Sequence, residues 1–282
     1  MTPRPQFDAA YIEEELQELG ATLHAEVTAF LIGGGGMAFR GLKDTTKDID
    51  LVVTTKAEFD RLLAALDDQG YEEVSDLDEA YQQLGARLYV ENDDGCRIDV
   101  FNRQVADKLI FSDGMQQRSE EHLVSSEFAV RLTALEDIFL FKTVAKRPDD
   151  IDDMNTLVQT SLDFEAIEQE IATQVELLNG KQFTTHIRES LDKLYEQYEV
   201  QTPLEDVVDE YYAQYMDELE VRLVLSEDDP MSVEAIAEER GLNRDHVVKQ
   251  LEQLEAYGYV EQTESGFVDT GRRDADVFDE SR

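Results

Sequence analysis

The chain has 282 residues, 41% of them hydrophobic, enough for a buried core and roughly two or three domains. Asp and Glu number 65 against 25 Lys and Arg, a formal net charge of −40, which argues against a large basic footprint for nucleic acid. No apolar run reaches the ~18 residues of a membrane span, no charged-then-apolar leader pattern opens the chain, and the single Cys96 excludes an intramolecular disulfide. The expectation is a cytoplasmic protein with no membrane partner.

Ile12, Leu16, Leu19 and Leu23 recur at helical spacing and predict an amphipathic helix over residues 9–25. Val27–Ile32 is β-branched and aromatic and reads as a buried strand, stopped by Gly33, Gly34, Gly35 and Gly36. Residues 37–42 predict a short helix, Asp48–Val53 the next strand and residues 56–71 the next helix. Ala86–Val90 and Cys96–Phe101, joined by Asn-Asp-Asp-Gly, read as a hairpin. This order gives a small α/β domain ending near residue 112.

Glu127–Thr133 adds a strand, and Thr133 with Glu136 has the spacing of a capping box, so a helix should begin there. Pro148 followed by acids predicts the first turn of another. The chain then reads as helical to about residue 200, with a long helix over 204–225. From Val221 to Thr270 the pattern is a Ser232-capped helix, a Gly-Leu-Asn turn, an Asn243-capped helix and two strands around Glu264-Ser265-Gly266. That is helix, turn, helix, wing, followed by an acidic tail expected to be disordered.

Asp48 and Asp50 stand two apart on a predicted strand, so both carboxylates leave one face while Ile49, Leu51 and Val53 enter the core. Two such groups can hold a hard divalent ion through oxygen. The same spacing recurs at Asp76/Asp78, Asp150/Asp152 and Asp274/Asp276, so the pair taken alone reads as surface acid and says little of function. Its context separates it: only this pair opens a strongly apolar strand and follows a strand, a glycine turn and a helix. Backbone amides of such a turn can cradle phosphate. Asp99 lies in the apolar stretch Cys96–Phe101; if that strand neighbours Asp48–Val53, three carboxylates converge and call for a cation. Taken alone, Asp99 reads equally as a solvated strand residue.

Gly33-Gly34, the following helix, Thr46, Asp48-Ile49-Asp50 and the later Asp99 resemble the polymerase-β-like nucleotidyltransferase superfamily. Within it the pattern is similar to the abortive-infection-type toxin nucleotidyltransferases, over roughly residues 10–160. The resemblance implies an α/β fold, with a mixed sheet and flanking helices, then a helical region; separately, the C-terminal helix-turn-helix-wing pattern resembles a winged helix domain. The superfamily resemblance also implies two Mg²⁺ ions held by Asp48, Asp50 and Asp99, and an NTP whose triphosphate lies against Gly33, Gly34, Gly35, Gly36 and Thr46. Glycine and methionine stand where the superfamily often has Gly-Ser, and Lys43-Asp44 where it often has arginine. Thr133–Val158 resembles the family's downstream helix pair, which makes Lys142 a triphosphate ligand and assigns Asp150 and Asp153 to the acids that act as base or orient the acceptor. On the residues alone, Lys142 also reads as a packed stem whose head reaches water, and the acids suit the positive end of a helix. Asp149 replaces the lysine expected before Asp150.

The implied division is a nucleotidyltransferase core over 1–112, a mainly helical extension over 113–216, a winged helix-turn-helix over 217–270 and a tail over 271–282. Arg244, Lys249 and Gln250 near the start of the second helix of that module are candidates for nucleic-acid contact; a protein-docking wing reads equally well. The leading expectation is a Mg-dependent enzyme moving a nucleotide from an NTP to a hydroxyl of RNA, tRNA or protein, as a component of a toxin–antitoxin pair. The alternative is a winged-helix DNA-binding regulator whose nucleotidyltransferase domain is inactive or senses nucleotide.

The acids are spread along the whole chain, as in proteins of extreme halophiles, which this composition resembles. Self-repulsion at this charge opposes the compact state, and molar salt shortens the Debye length to about 3 Å. Raising KCl from about 0.1 M to about 2 M should therefore raise the melting temperature, by more than the same change does for a protein near neutrality. Scanning calorimetry across a KCl series checks this; a flat profile contradicts it.

Overall fold

The computed structural model describes residues 4–74, 88–147 and 149–272. Residues 86–87 of the expected hairpin, Pro148, the Asp76/Asp78 and Asp274/Asp276 pairs, and all but residues 271–272 of the expected tail lie outside them. The chain divides into two compact units, Met1–Ile171 with Ser190–Gln201, and Ala172–Glu189 with Thr202–Arg282.

The first unit opens with α1 (Ala9–Thr22), whose first turn is capped by Asp8 accepting the Tyr11 N–H. There follow β1 (Val27–Ile32), α2 (Gly33–Ala38), β2 (Asp48–Val53) and α3 (Lys56–Asp68), the last capped by Thr55. Next come β3 (Glu72–Glu73), β4 (Leu88–Glu91), β5 (Arg97–Asn102), β6 (Gln104–Val105), β7 (Leu109–Ile110), α4 (Asp113–Arg118), β8 (Glu120–Val124) and β9 (Phe128–Leu132). Then α5 (Leu135–Ala145) and α6 (Asp150–Val158) precede α7 (Phe164–Leu178) and α8 (Phe183–Tyr198), inside which the division falls.

Among the described residues a seven-stranded sheet runs in the order β3-β4-β5-β2-β1-β9-β8. It is mixed: β1 is antiparallel to β2 and parallel to β9, and β2 is parallel to β5. Strand periodicity sorts its side chains. Ala29, Leu31, Ile49, Leu51, Val53, Ile98, Val100 and Val130 pack in one core with Ile12, Leu16 and Leu19 of α1 and Leu62, Ala65 and Leu66 of α3. Each Val, Leu or Ile among them contributes about 1.5–3 kcal/mol on burial, and a one-residue slip of β2 would exchange its apolar residues with Asp48 and Asp50 between the two faces. The opposite face carries Asp48, Asp50, Arg97 and Asp99, all buried. Nearby aromatic contacts are Phe30 on Phe111 (4.7 Å) and Phe111 on Phe141 (6.2 Å). α5 is buried from Asp137 to Ala145, as a helix apolar on nearly every side must be.

Three local expectations change. The four glycines do not form a turn ahead of a helix over 37–42; they are themselves the first residues of α2. Thr133 does not cap α5, which starts after Ala134 without a side-chain cap; Thr133 is instead fully buried at the end of the sheet, its N–H donating to the Leu31 carbonyl at 3.2 Å. β8, a mostly exposed edge strand rich in charge, carries too few apolar residues to be read from sequence. No described helix is long and apolar enough to cross a membrane.

The second unit contains α9 (Glu205–Arg222), α10 (Val233–Arg240), α11 (Arg244–Ala256) and a hairpin of β10 (Val260–Thr263) and β11 (Gly266–Asp269). Ser232 caps α10 and Asn243 caps α11, and Gly241 ends α10 at φ +67°. Its core is Val221, Ile236, Val247, Leu251, Leu254, Tyr259 and Val260. A buried ion pair joins Lys181 to Glu218.

In the first unit, Arg118 of α4 holds two buried carboxylates, Asp137 at 2.6 Å and Glu170 at 2.7 Å. Burial pushes Asp137 up to about 6, against the pull of Arg118 and with the push of Glu170. Its folded pKa lies above its unfolded one, so its contribution to stability is fully present below pH 3.8 and is lost as pH rises through about 6. Asp137→Asn removes that dependence. Wild type should gain stability over Asp137→Asn by on the order of 3 kcal/mol as pH falls through this window. Urea denaturation at about pH 7 and about pH 4.5 checks the sign; a difference independent of pH contradicts it.

Candidate active site

The site is set by the parallel pairing of β2 with β5. Its register places Asp48 opposite Arg97 and Asp50 opposite Asp99. Because residues two apart share a face, all four side chains stand in a two-by-two block on one side of the sheet. The fractional exposures of Asp48, Asp50, Arg97 and Asp99 are 5%, 2%, 4% and 0%. The three acids proposed from sequence are thus neighbours, from strands some fifty residues apart in the chain (Asp48 and Arg97 are separated by 49).

Three carboxylates this close and this dry cannot all ionise without help. Arg97 supplies part of it: Nε lies 2.7 Å from Asp99 Oδ1, and Nη2 lies 3.1 Å from Asp99 Oδ2 and 3.4 Å from Asp48 Oδ2. Arg147 Nη1 lies 3.6 Å from Asp48 Oδ2 and 4.0 Å from Asp50 Oδ1, and Arg4 lies 3.8 Å from Asp48. Burial would push Asp48 up, but Arg147, Arg97 and Arg4 together hold it below the usual carboxylate range. Asp50 is pushed up to about 6 by burial and by Asp48. Burial, then Asp48, drive Asp99 well above that range despite Arg97. Asp50 Oδ2 is buried without a hydrogen-bond partner.

Beside this block lies a second one. Lys142 of α5 is buried and ion-paired with Asp150 at 2.8 Å and Asp153 at 2.7 Å, and Asp153 also holds Lys43 at 2.8 Å. The expected partner of Lys142 was a phosphate oxygen; in the structure Asp150 and Asp153 fill that role. Asp150 in addition accepts the Arg147 N–H at 2.6 Å and faces Arg147 Nε at 3.6 Å, so it fixes the entry to α6. Asp48, Asp50, Asp99, Asp150 and Asp153 therefore meet Arg4, Lys43, Arg97, Lys142 and Arg147, five acidic side chains against five basic ones.

The glycines have identifiable neighbours. A Cβ on Gly33 (φ +63°) would lie 2.2 Å from Asp50 Oδ2, and one on Gly34 would lie 2.4 Å from Thr46 Oγ1. A Cβ on Gly35 would meet Leu31 at 3.1 Å and one on Gly36 would meet Ile138 at 2.8 Å. The run is therefore required by close packing of α2 on β1, β2 and α5. Thr46 is placed by a bridge to Phe7, each backbone N–H donating to the other's carbonyl at 2.8 and 2.9 Å.

Of the three nucleic-acid candidates, Gln250 shares the buried face of α11 with Val247, Leu251 and Leu254, so its side chain is turned from solvent. The helical repeat explains this, since 247, 250, 251 and 254 fall on one stripe. Arg244 and Lys249 are exposed, and Arg244 pairs with Glu234 at 2.9 Å.

Sequence reasoning missed Arg97, Arg147 and Arg4. Arg97 had a readable signal: two residues before Asp99 on one strand, it had to share that residue's face.

Among the described residues no group of three or more His, Cys, Asp or Glu side chains is arranged to hold a metal ion; at this sheet face Arg97 reaches both Asp48 and Asp99. The donors nevertheless suit a hard divalent cation in kind, being carboxylate oxygens, with the orphaned Asp50 Oδ2 among them.

The mixed sheet with flanking helices is of the kind a nucleotidyltransferase-type domain has. A family model described as "Nucleotidyltransferase of unknown function (DUF6036)" matches residues 10–202, and the chain belongs to that family. No curated protein matches the chain.

Gly33→Ala tests the packing argument against Gly41→Ala, because Gly41 has a similar φ of +68° but nothing within 4 Å of its Cβ position. Gly41→Ala should cost about 1–2 kcal/mol for the left-handed backbone alone. Gly33→Ala should cost at least about 1 kcal/mol more, for displacing Asp50. Equal losses in urea denaturation would contradict it.

Proposed function

We propose that the first unit catalyses nucleotidyl transfer from an NTP to a hydroxyl acceptor, with Mg²⁺ held by Asp48, Asp50 and Asp99. The observation that carries this is the register pairing of Asp50 with Asp99, with Asp48 two residues away on the same face. When bound, the metal would offset charge on the attacking and leaving oxygens. The chain's own residues do the rest. The acceptor oxygen bonds to the α-phosphorus, the bond to the bridging oxygen breaks, and pyrophosphate leaves. The hydroxyl proton passes to a carboxylate of the block. Arg147, a fixed cation beside Asp48 and Asp50, faces the accumulating negative charge. Thr46 and the N-terminal amides of α2 supply neutral donors for the triphosphate. Lys142 and Asp150 hold Arg147 and α6 in register, and so act through others.

A second reading keeps the regulator. Two capped helices followed by a hairpin suit a winged helix-turn-helix over 217–270, with Arg244 and Lys249 exposed on α11. Such a module would bind DNA, or dock a protein partner such as an antitoxin, while the nucleotidyltransferase domain would be inactive or sense nucleotide.

Labelled NTPs, Mg²⁺ and total RNA or protein at molar KCl separate the two. Label transfer should appear with wild type and fall by about 100-fold or more with Asp50→Asn, since even losing an outer partner of a metal ligand costs 10–100-fold. Transfer that survives Asp50→Asn rules out the assignment. Absence in both, with a DNA mobility shift lost in Arg244→Ala/Lys249→Ala, favours the regulator.

A further inference from the structure

We propose that Arg97 is a positioning residue: a counter-cation built into β5 that stands in for metal between Asp48 and Asp99 and thereby sets the affinity of the site for divalent cations. The inference rests on the proposed metal-holding role of Asp48, Asp50 and Asp99 and goes on to say what opposes metal there.

Three observations single out Arg97 from the other cations. It is one of the two residues that β5 contributes to the two-by-two block, so strand pairing rather than a flexible loop fixes its position. It contacts two of the three acids through two nitrogens, at 2.7, 3.1 and 3.4 Å, closer than Arg147 or Arg4 comes to any of the three. It is also drier than either: its side chain is 4% exposed, against 14% for Arg147 and 26% for Arg4. Its guanidinium further lies 5.6 Å from the ring of Tyr89, the residue opposite Asp99 on β4, which helps hold it in place.

The physical consequence has a definite sign. In a dry site a fixed unit charge acts strongly on a neighbour a few ångströms away. Without a divalent ion, Arg97 offsets the repulsion among the acids and stabilises the fold. With one, the two cations compete for Asp48 and Asp99 and repel each other. Removing the charge at 97 should therefore weaken the metal-free protein and strengthen metal binding. A merely structural ion pair predicts only the first effect.

Mn²⁺ titrations of the full chain, followed by electron paramagnetic resonance in molar KCl, test this. Arg97→Gln should bind Mn²⁺ at least about ten-fold more tightly than wild type, while Arg97→Lys, which keeps the charge, stays within about three-fold of it. Metal-free Arg97→Gln should also melt lower, and Mn²⁺ should raise its Tm more than it raises that of wild type. Equal or weaker Mn²⁺ binding by Arg97→Gln overturns the proposal, as does tightening by Arg97→Lys. If Arg97→Gln and Arg97→Met fold only when Mn²⁺ is added, metal replaces the missing cation and the proposal stands. If neither folds with Mn²⁺ although Arg97→Lys folds without it, Arg97 is a structural ion pair only. Adding Asp50→Asn separates the two readings: Mn²⁺ binding that this change abolishes, but Arg97→Gln leaves unaltered, sinks the role of Arg97 alone. No binding sensitive to Asp50→Asn, in wild type or in Arg97→Gln, sinks the metal site with it.

Discussion

Everything at this site depends on one pairing, the parallel alignment of β2 with β5. It puts three acidic side chains side by side on a sheet face that water barely reaches. Left alone, such an arrangement would oppose folding, because the cost of drying each charge adds to their mutual repulsion. The fold answers with Arg97 from the same strand pair, Arg147 from the approach to α6, and Arg4 from the N-terminal segment. What the apolar face of the sheet contributes in packing, the polar face partly costs, and ion pairing limits that cost.

The second block, around Lys142, shows how that answer is anchored. Asp150 and Asp153 sit in the first turn of α6, where the helix favours negative charge, and hold a buried ammonium from α5. Asp150 also accepts the Arg147 amide, so the residue that faces Asp48 and Asp50 is fixed from its own backbone. Asp153 reaches Lys43, which lies in the segment between α2 and β2. The glycine helix, the acidic strand and the helix pair are thus tied by charge as well as by packing. For a nucleotidyltransferase of the family matched over residues 10–202, this means the cations near the acids are parts of a connected network rather than isolated ligands.

Much of the fold was legible because its signals are local. Val27–Ile32 and Asp48–Val53 coincide with β1 and β2, and the caps at Ser232 and Asn243 are made as the sequence indicated. The misses have physical causes. Glycine has poor intrinsic helix propensity, so a helix opening on four glycines could not be foreseen; Asp50, Thr46, Leu31 and Ile138 lie close to the Cβ positions of Gly33–Gly36, which accounts for glycine there. Thr133 satisfied a spacing rule, yet the end of the sheet drew it inward. Gln250 had the composition of a contact residue, but the helical repeat turned it to the core.

The sequence by itself determined which residues are acidic, which strand carries Asp48 and Asp50 on one face, and that Asp99 lies on another apolar strand, because alternation along a strand is a property of the local backbone. Only the tertiary structure decided that these strands are parallel neighbours in a register pairing Asp50 with Asp99. It also decided that Arg97, Arg147 and Lys142 spend their charge on the protein's own carboxylates. Strand order and cross-strand register are set by packing among residues distant in the chain, and no local pattern encodes which distant charge a buried group will meet.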